Sequence, residues 1–379
     1  MGYGDGSIYF VEKRGLWFAA IEDGWTPQGK RRRRVVSSKT KAGVRRKLEQ
    51  AKRERDAGIT GANPTVKTYG NQWLERQAAR VRPGTLRGFK TAIGVLTKAL
   101  GRKQVKDVRG TDLEALGVSE TGRGLSPATV IGEQTIWGMM FKDAARDGLN
   151  VHVSVPGFKK VKKGEGKRAA IPSGEVARLV KAARSIPGGV RFTLSLVLGL
   201  RPAEVAGLRW QDIDFETGTL RVEFQLVRLR TPPPPGMVAH HVRGLYYLTL
   251  PKTASGARTI PLPGDLLNQL REWREKTPGN EWGLVFQAVR GGGPLCSDSN
   301  RRVWEKLQKD AGVAKPDGKP YLLYEARHTA ATLMLEAGVA PVTVAAIMGH
   351  SGTRMQSVYQ HPGRELELEG LRKVEALIS

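Results

Sequence analysis

Leu198-Gly199-Leu200-Arg201-Pro202-Ala203-Glu204-Val205-Ala206-Gly207-Leu208-Arg209-Trp210, with Asp212-Ile213-Asp214 just beyond it, is the stretch on which the fold turns. Residues 190–200 carry apolar side chains at helical spacing, and that helix stops at the glycine. Pro202 stands where a first helical turn tolerates proline, so a second short helix follows over 203–208. Arg201 therefore lies at the junction of two helices. Taken alone it would be an ordinary solvated helix-end arginine. Downstream, alternation over 219–228 predicts a strand. Thr231-Pro232-Pro233-Pro234-Pro235-Gly236 is a loop insertion, and residues 246–250 and 258–262 read as a hairpin with Lys252 at its tip. Helices dominate the remainder, and 176–183 is helical upstream. Residues 165–379 thus make an α+β domain ending in a C-terminal tail.

Three more stretches stand out in this half: Glu325-Ala326-Arg327-His328-Thr329-Ala330-Ala331-Thr332, Ile347-Met348-Gly349-His350-Ser351, and Tyr359. Tyr359 has no rival nucleophile beside it, since Val358 precedes it and Gln360 and His361 follow. Each alone is an unremarked helix or turn. In this order they resemble the tyrosine recombinase (phage integrase) family, of the heterobivalent phage or integrative-element type. The Arg201 stretch is similar to that family's first arginine box. Thr249-Leu250-Pro251-Lys252-Thr253 with Arg258-Thr259-Ile260-Pro261-Leu262 is similar to its β-hairpin lysine segment. The Arg327 stretch is similar to its second arginine box. The resemblance covers residues 169–379 well and 1–150 more loosely. It implies Arg201, Lys252, Arg327 and His350 as catalytic residues, Tyr359 as nucleophile, and Glu204 and Tyr324 in support. It implies no metal and no cofactor.

The chemistry accounts for these residue types. A DNA phosphodiester gains negative charge as a pentavalent transition state forms, and two guanidiniums can hold its non-bridging oxygens in forked geometry at any working pH. A tyrosine hydroxyl attacks phosphorus and, in this family, leaves a 3′-phosphotyrosine and a free 5′-hydroxyl. The covalent link conserves the bond energy, so rejoining needs no ATP. Lys252 would protonate the departing 5′-oxygen and His350 would donate a hydrogen bond to the phosphate. Glu204 would orient a neighbouring guanidinium or imidazole. One position departs from the family pattern: Tyr324 stands three residues before Arg327, where histidine is usual. A phenol can donate to a phosphate oxygen, but with a reference pKa of about 10 it is a poor general base. Tyr321 is close in sequence, and both tyrosines stay open as the one facing the site. His328 reads as a structural helix residue.

The chain of 379 residues carries 62 Lys+Arg against 36 Asp+Glu, a formal net charge of +26. An excess of that size calls for a polyanionic partner, of which nucleic acid is the commonest. With 40 % hydrophobic residues the composition is globular, which excludes a disordered polycation. A lone cysteine, Cys296, excludes an intramolecular disulfide framework and a cysteine-based zinc finger. The start, Met1-Gly2-Tyr3-Gly4-Asp5, lacks a signal-peptide pattern, and no apolar run suits a membrane span, so a cytoplasmic location in a bacterial host is expected. Residues 1–60, 61–164 and 165–379 carry net charges of +8, +10 and +8, so every part is basic and the first 164 residues are the more densely charged.

Residues 5–38 read as a small three-stranded antiparallel sheet and 41–57 as a helix with a basic face. Together (1–60) they resemble an arm-type DNA-binding domain, with Arg31, Arg32, Arg33 and Arg34 as phosphate contacts. After a linker at 58–65, helical stripes through Tyr69, Trp73 and Gln77, then Phe89, Ile93 and Leu96, predict a helical core-binding domain over 66–155. Residues 158–168 read as a flexible basic connector in which Lys159, Lys160, Lys162 and Lys163 would meet the duplex backbone. The whole is multidomain and mainly α with small β-sheets. The function implied is a site-specific recombinase, an integrase working as a homotetramer on core-type and arm-type double-stranded DNA sites, with a host DNA-bending factor and an excisionase as further partners. A type IB topoisomerase-like strand relaxer and a catalytically silent DNA-binding regulator stay open as alternatives. Leu371, Val374, Leu377 and Ile378 form an apolar stripe whose docking, in cis or on a neighbouring protomer, stays open.

Overall fold

The computed structural model describes residues 7–25, 31–56, 63–164, 170–251, 256–288, 291–349 and 363–378. Of Asp23, Trp25, Arg32 and Glu54 it describes the backbone alone. The chain divides into two compact units, one to Glu165 and one from Gly166.

The first unit begins with strands β1 (Ser7–Val11), β2 (Leu16–Trp25) and β3 (Arg31–Ser38), an antiparallel sheet in that order. Helix α1 (Lys41–Asp56) packs on β2 and β3 over a core of Ala19, Ile21, Val44, Leu48 and Ala51. Side chains alternate across a strand, so the row Ile8, Ala19, Val36 faces α1 while Tyr9, Phe18, Ser37 faces away.

Four helices follow: α2 (Val66–Ala78), α3 (Pro83–Leu100), α4 (Gly110–Gly122) and α5 (Pro127–Arg146). Thr65 and Ser126 cap α2 and α5, each accepting from the backbone N–H three residues on. Trp73 and Phe89 of the expected helical stripes fill the core together with Trp137, which those stripes did not include. The indole of Trp137 donates to the carbonyl of Ala92 at 2.8 Å, and that of Trp73 to Asp143 at 2.8 Å, so neither buried N–H is orphaned.

The expected flexible connector is otherwise. Over 158–161 the backbone is fastened to α4 and α5: the Lys159 N–H donates to Glu114 (2.7 Å) and the Val161 N–H to Gln134 (2.9 Å). Lys160 reaches Thr135 at 2.9 Å, and Phe158 packs against the core. A few apolar residues among lysines suffice because the polar helix surface supplies acceptors for the strap's backbone N–H groups. The helical domain thus extends past residue 155. Residues 165–168, the end of that segment, lie outside the described residues.

The second unit holds α6 (Ser173–Arg184), α7 (Val190–Val197), α8 (Pro202–Ala206), α9 (Gly264–Lys276), α10 (Ser297–Asp310), α11 (Leu323–Glu336), α12 (Pro341–Met348) and α13 (Arg364–Ile378). Every residue of α7 is buried, which makes it the central helix; α6, α9 and α11 pack around it. Six strands form two antiparallel sheets: β4 (Ile213–Asp214), β5 (Thr219–Val222) and β9 (Arg258–Pro261) in the order β4-β5-β9, and β6 (Gln225–Arg228), β7 (Ala239–Arg243) and β8 (Tyr246–Thr249) in the order β6-β8-β7.

Two expectations are corrected here. The strand run 219–228 is split between the sheets, with Leu220 opposite Ile260 and Leu226 opposite Leu248. Accordingly 246–250 and 258–262 do not pair as a hairpin; β8 pairs instead with β7, which the sequence pattern missed. β7 is an edge strand whose only buried residue is Val242, so it lacks the alternation that marks a half-buried strand.

In α13 Leu371, Val374 and Ile378 are buried against this chain's own α6, α11 and α12, a packing in cis, while Leu377 of the expected stripe is exposed.

Candidate active site

The site grows from the end of α7. Gly199 is left-handed (φ 66°), which turns the chain sharply after the apolar helix. A Cβ there would meet the Met348 sulfur at 2.2 Å, so glycine also permits α12 to approach. Arg201 then caps α8, with Pro202 as its first residue. Glu204, three residues on, reaches back to accept the Arg201 backbone N–H at 3.0 Å and its guanidinium Nη1 at 2.5 Å.

Glu204 is 2 % exposed and gathers a second arginine as well. Arg258, on β9, donates Nη2 to Glu204 (3.2 Å), Nε to the Ile347 carbonyl (2.6 Å) and Nη1 to the Gly256 carbonyl (3.0 Å). Arg327, on the inner face of α11, donates Nη1 to the Gly199 carbonyl at 2.5 Å and Nη2 to the Met348 carbonyl. Two consecutive carbonyls at the end of α12 are therefore held by two guanidiniums, the arrangement a helix C-terminus favours.

Electrostatics follow from the crowding. Burial, then the charge of Arg201, lower the Arg327 guanidinium to about 10, still cationic at neutral pH. Burial likewise lowers Arg258, against the pull of Glu204. For Glu204 burial is the largest influence and raises the carboxyl, but Arg258 and Arg201 together outweigh it and hold Glu204 below its ordinary value. Three guanidiniums share one carboxylate, so the cluster keeps an excess of positive charge. Among the described residues, Nε and Nη2 of Arg201 and Nε of Arg327 make no hydrogen bond, which leaves donors for an anion.

Arg201, Glu204 and Arg327 are thus brought together. Lys252 falls between β8 and β9, and His350 and Tyr359 between α12 and α13; all three lie outside the described residues. Of the two tyrosines left open, Tyr321 is buried at 3 % exposure, whereas Tyr324 is 46 % exposed and close enough to Arg327 to act on its charge. His328 is exposed on α11. Arg258 was missed, although alternation could have found it. Ile260, two residues along the strand, is fully buried, so Arg258 shares an inward face.

The basic candidates of the first unit are spread on surfaces. Arg31 and Arg33 are exposed, and Arg31 pairs with Glu22 at 3.3 Å. Arg34 points the other way and is half-buried, as its register opposite Ile21 requires. The Arg32 side chain lies outside the described residues. Lys159, Lys160, Lys162 and Lys163 are exposed along the strap.

The model of the phage integrase family matches residues 170–365, a span that contains the whole arginine cluster. The chain belongs to the phage integrase family. An integrase of Saccharopolyspora erythraea is 26 % identical over 94 % of this chain and 92 % of its own length. One of Streptomyces ambofaciens is 27 % identical with the same coverage. A XerC-like tyrosine recombinase of Caldanaerobacter subterraneus is 30 % identical over 49 % of each chain. Among solved structures, the Tn1549 transposon integrase in complex with a circular intermediate DNA superposes with a TM-score of 0.66 at 21 % identity, over 82 % of this chain and 99 % of that one. A lambda integrase tetramer bound to a Holliday junction gives 0.60 at 18 %, over 93 % of each. These likenesses show a multidomain tyrosine-recombinase fold. The enzyme is a tyrosine site-specific recombinase, and neither the topoisomerase-like nor the silent alternative is favoured.

Proposed function

We propose that this recombinase is an integrase that cleaves and rejoins DNA through a 3′-phosphotyrosine on Tyr359, integrating and excising a mobile element. The observation that carries this is the convergence of Arg201, held by the buried Glu204, and Arg327, held by the Gly199 and Met348 carbonyls, into a positive site with open guanidinium donors. The scissile phosphate would sit on those donors. The Tyr359 hydroxyl gives up its proton to solvent as its oxygen bonds to phosphorus and the bond to the 5′-oxygen breaks, and Lys252 supplies the proton that the 5′-oxygen takes. His350 and Tyr324 donate to the phosphate oxygens while negative charge develops. Rejoining runs the same steps backward, with a 5′-hydroxyl as nucleophile.

Around this chemistry we place double-stranded core-type sites on the helical and catalytic domains, with Lys159, Lys160, Lys162 and Lys163 on the backbone. Arm-type sites lie on the N-terminal sheet, where Arg31 and Arg33 share the face turned from α1 with the stacked Tyr9–Phe18 pair (6.0 Å). The likeness to the lambda integrase tetramer supports a homotetramer on DNA. A host DNA-bending factor and an excisionase complete the partners, in the cytoplasm of a bacterial host. Among the described residues no helix is long and apolar enough to cross a membrane.

The test starts from a pool of nicked duplexes with a randomised core, in which strand cleavage releases a short fragment and traps the enzyme. Wild type should select a duplex by forming an SDS-stable protein–DNA adduct, and Tyr359→Phe should form none. An adduct retained by Tyr359→Phe would overturn the assignment.

A further inference from the structure

Arg258 spends all three of its guanidinium nitrogens on the protein, unlike Arg201 and Arg327. Its side chain is 7 % exposed. It therefore has no open face for a substrate oxygen, yet it touches two parts of the site at once. Nη2 reaches Glu204, whose carboxylate holds the Arg201 guanidinium, and Nε reaches the Ile347 carbonyl, next to the Met348 carbonyl that takes Arg327. We infer that Arg258 is a positioning residue for strand cleavage, setting Arg201 through Glu204 and the end of α12 in one frame. This rests on the cleavage reading above.

The planar fork is what the role demands. Three nitrogens fixed in one plane reach the Gly256 carbonyl ahead of β9, Glu204 of α8 and the Ile347 carbonyl of α12, whereas an ammonium's three donors all leave one nitrogen and cannot keep that planar spacing. Its charge matters as well as its shape. Glu204 is faced by Arg201 from the junction ahead of α8, by Arg258 from β9 and, at longer range, by Arg327 from α11. Arg258 is the strongest of these in keeping the buried carboxyl ionised. Without it, burial has less opposing it, Glu204 takes up a proton more readily, and the grip on Arg201 weakens as pH falls.

The experiment uses the full chain and the duplex selected by wild type, and follows adduct formation in single turnover from pH 8 to pH 5.5, with affinity measured by filter binding. Arg258→Met should cleave about 100-fold more slowly at pH 8, a loss typical of a misplaced reacting group, with DNA affinity within about twofold. Its rate relative to wild type should fall further toward pH 5.5. Arg258→Lys restores the charge without the fork, so it should recover about tenfold and show a flat ratio across pH. Wild-type rates in Arg258→Met, a ratio that stays constant with pH, or no recovery in Arg258→Lys would overturn the inference. If Arg258→Met does not fold by circular dichroism, Arg258→Lys decides: cleavage about tenfold below wild type supports the role, and a wild-type rate removes it. A wild type that forms no adduct would sink the tyrosine mechanism itself, and this inference with it.

Discussion

Among the buried glutamates, Glu204 of the catalytic unit and Glu133 of the helical domain are treated in opposite ways. Glu204 in the catalytic unit accepts three hydrogen bonds from two arginines and is held ionised. Glu133 on α5 is 7 % exposed, and among the described residues its Oε2 has no hydrogen-bond partner. Burial, and then the neighbouring carboxylate Glu120, raise it. The difference separates placed charge from tolerated charge. A buried carboxylate is worth its desolvation only where donors are fixed around it, and at Glu204 those donors are guanidiniums that form a site. The unit with the sparser net charge contains the more exacting electrostatics.

Glu204→Gln gives the largest break in this comparison. The shape survives, but Arg201, Arg258 and Arg327 lose the one anion they share. Stability should fall by about 3 kcal/mol in denaturant unfolding, as for one partner removed from a buried pair, and adduct formation by about 100-fold. The pH sign is set by the lowered carboxyl. Its stabilisation is present above the ordinary value of 4.5 and is lost as pH falls through the folded-state value. The gap between wild type and Glu204→Gln should therefore close on acidification. A gap below about 1 kcal/mol at neutral pH would show that the arginines do not depend on Glu204.

Gln134→Ala comes next and acts in the other unit. Gln134 is fully buried; its oxygen accepts the Val161 N–H and its amide lies 3.5 Å from the Leu113 carbonyl. Gly117 makes room for it, because a Cβ there would sit 2.3 Å from the Gln134 nitrogen. Truncation strands the strap's N–H, at a cost of about 2 kcal/mol. Hydrogen exchange at Val161 should quicken markedly, and unchanged protection would mean that the strap is held by Phe158 alone.

Sequence carried the helices, the first sheet and the arginine boxes because those features are local: capping residues, period-3.6 stripes, a glycine before an arginine. It missed what depends on partners far along the chain. The strap over 158–163 looks like linker composition, and its anchors Glu114 and Gln134 are polar residues of helices, indistinguishable by pattern from solvated ones. The exchange of strand partners between β8 and β9 is likewise a tertiary choice, made by Leu220 with Ile260 and Leu226 with Leu248. Arg258 was visible by alternation, yet its meaning needed Ile347, 89 positions away.

Glu133→Gln is the smallest effect and the one with reversed sign. The carboxyl is covered but lies shallowly, so solvent moderates its penalty, and replacement should stabilise the helical domain by about 1 kcal/mol at pH 7. Because burial raises Glu133, the folded state prefers the protonated form. That preference is fully present below the ordinary value of 4.5 and is lost as pH rises through the folded-state value. The advantage of Glu133→Gln should consequently grow from pH 4 to pH 7, whereas the gap for Glu204→Gln, already open above about pH 4.5, stays level with wild type the more stable. Thermal melts of both variants across that range test the contrast directly. If Glu133→Gln destabilises at pH 7, Glu133 is paired in solution after all, and the two buried glutamates are more alike than their surroundings suggest.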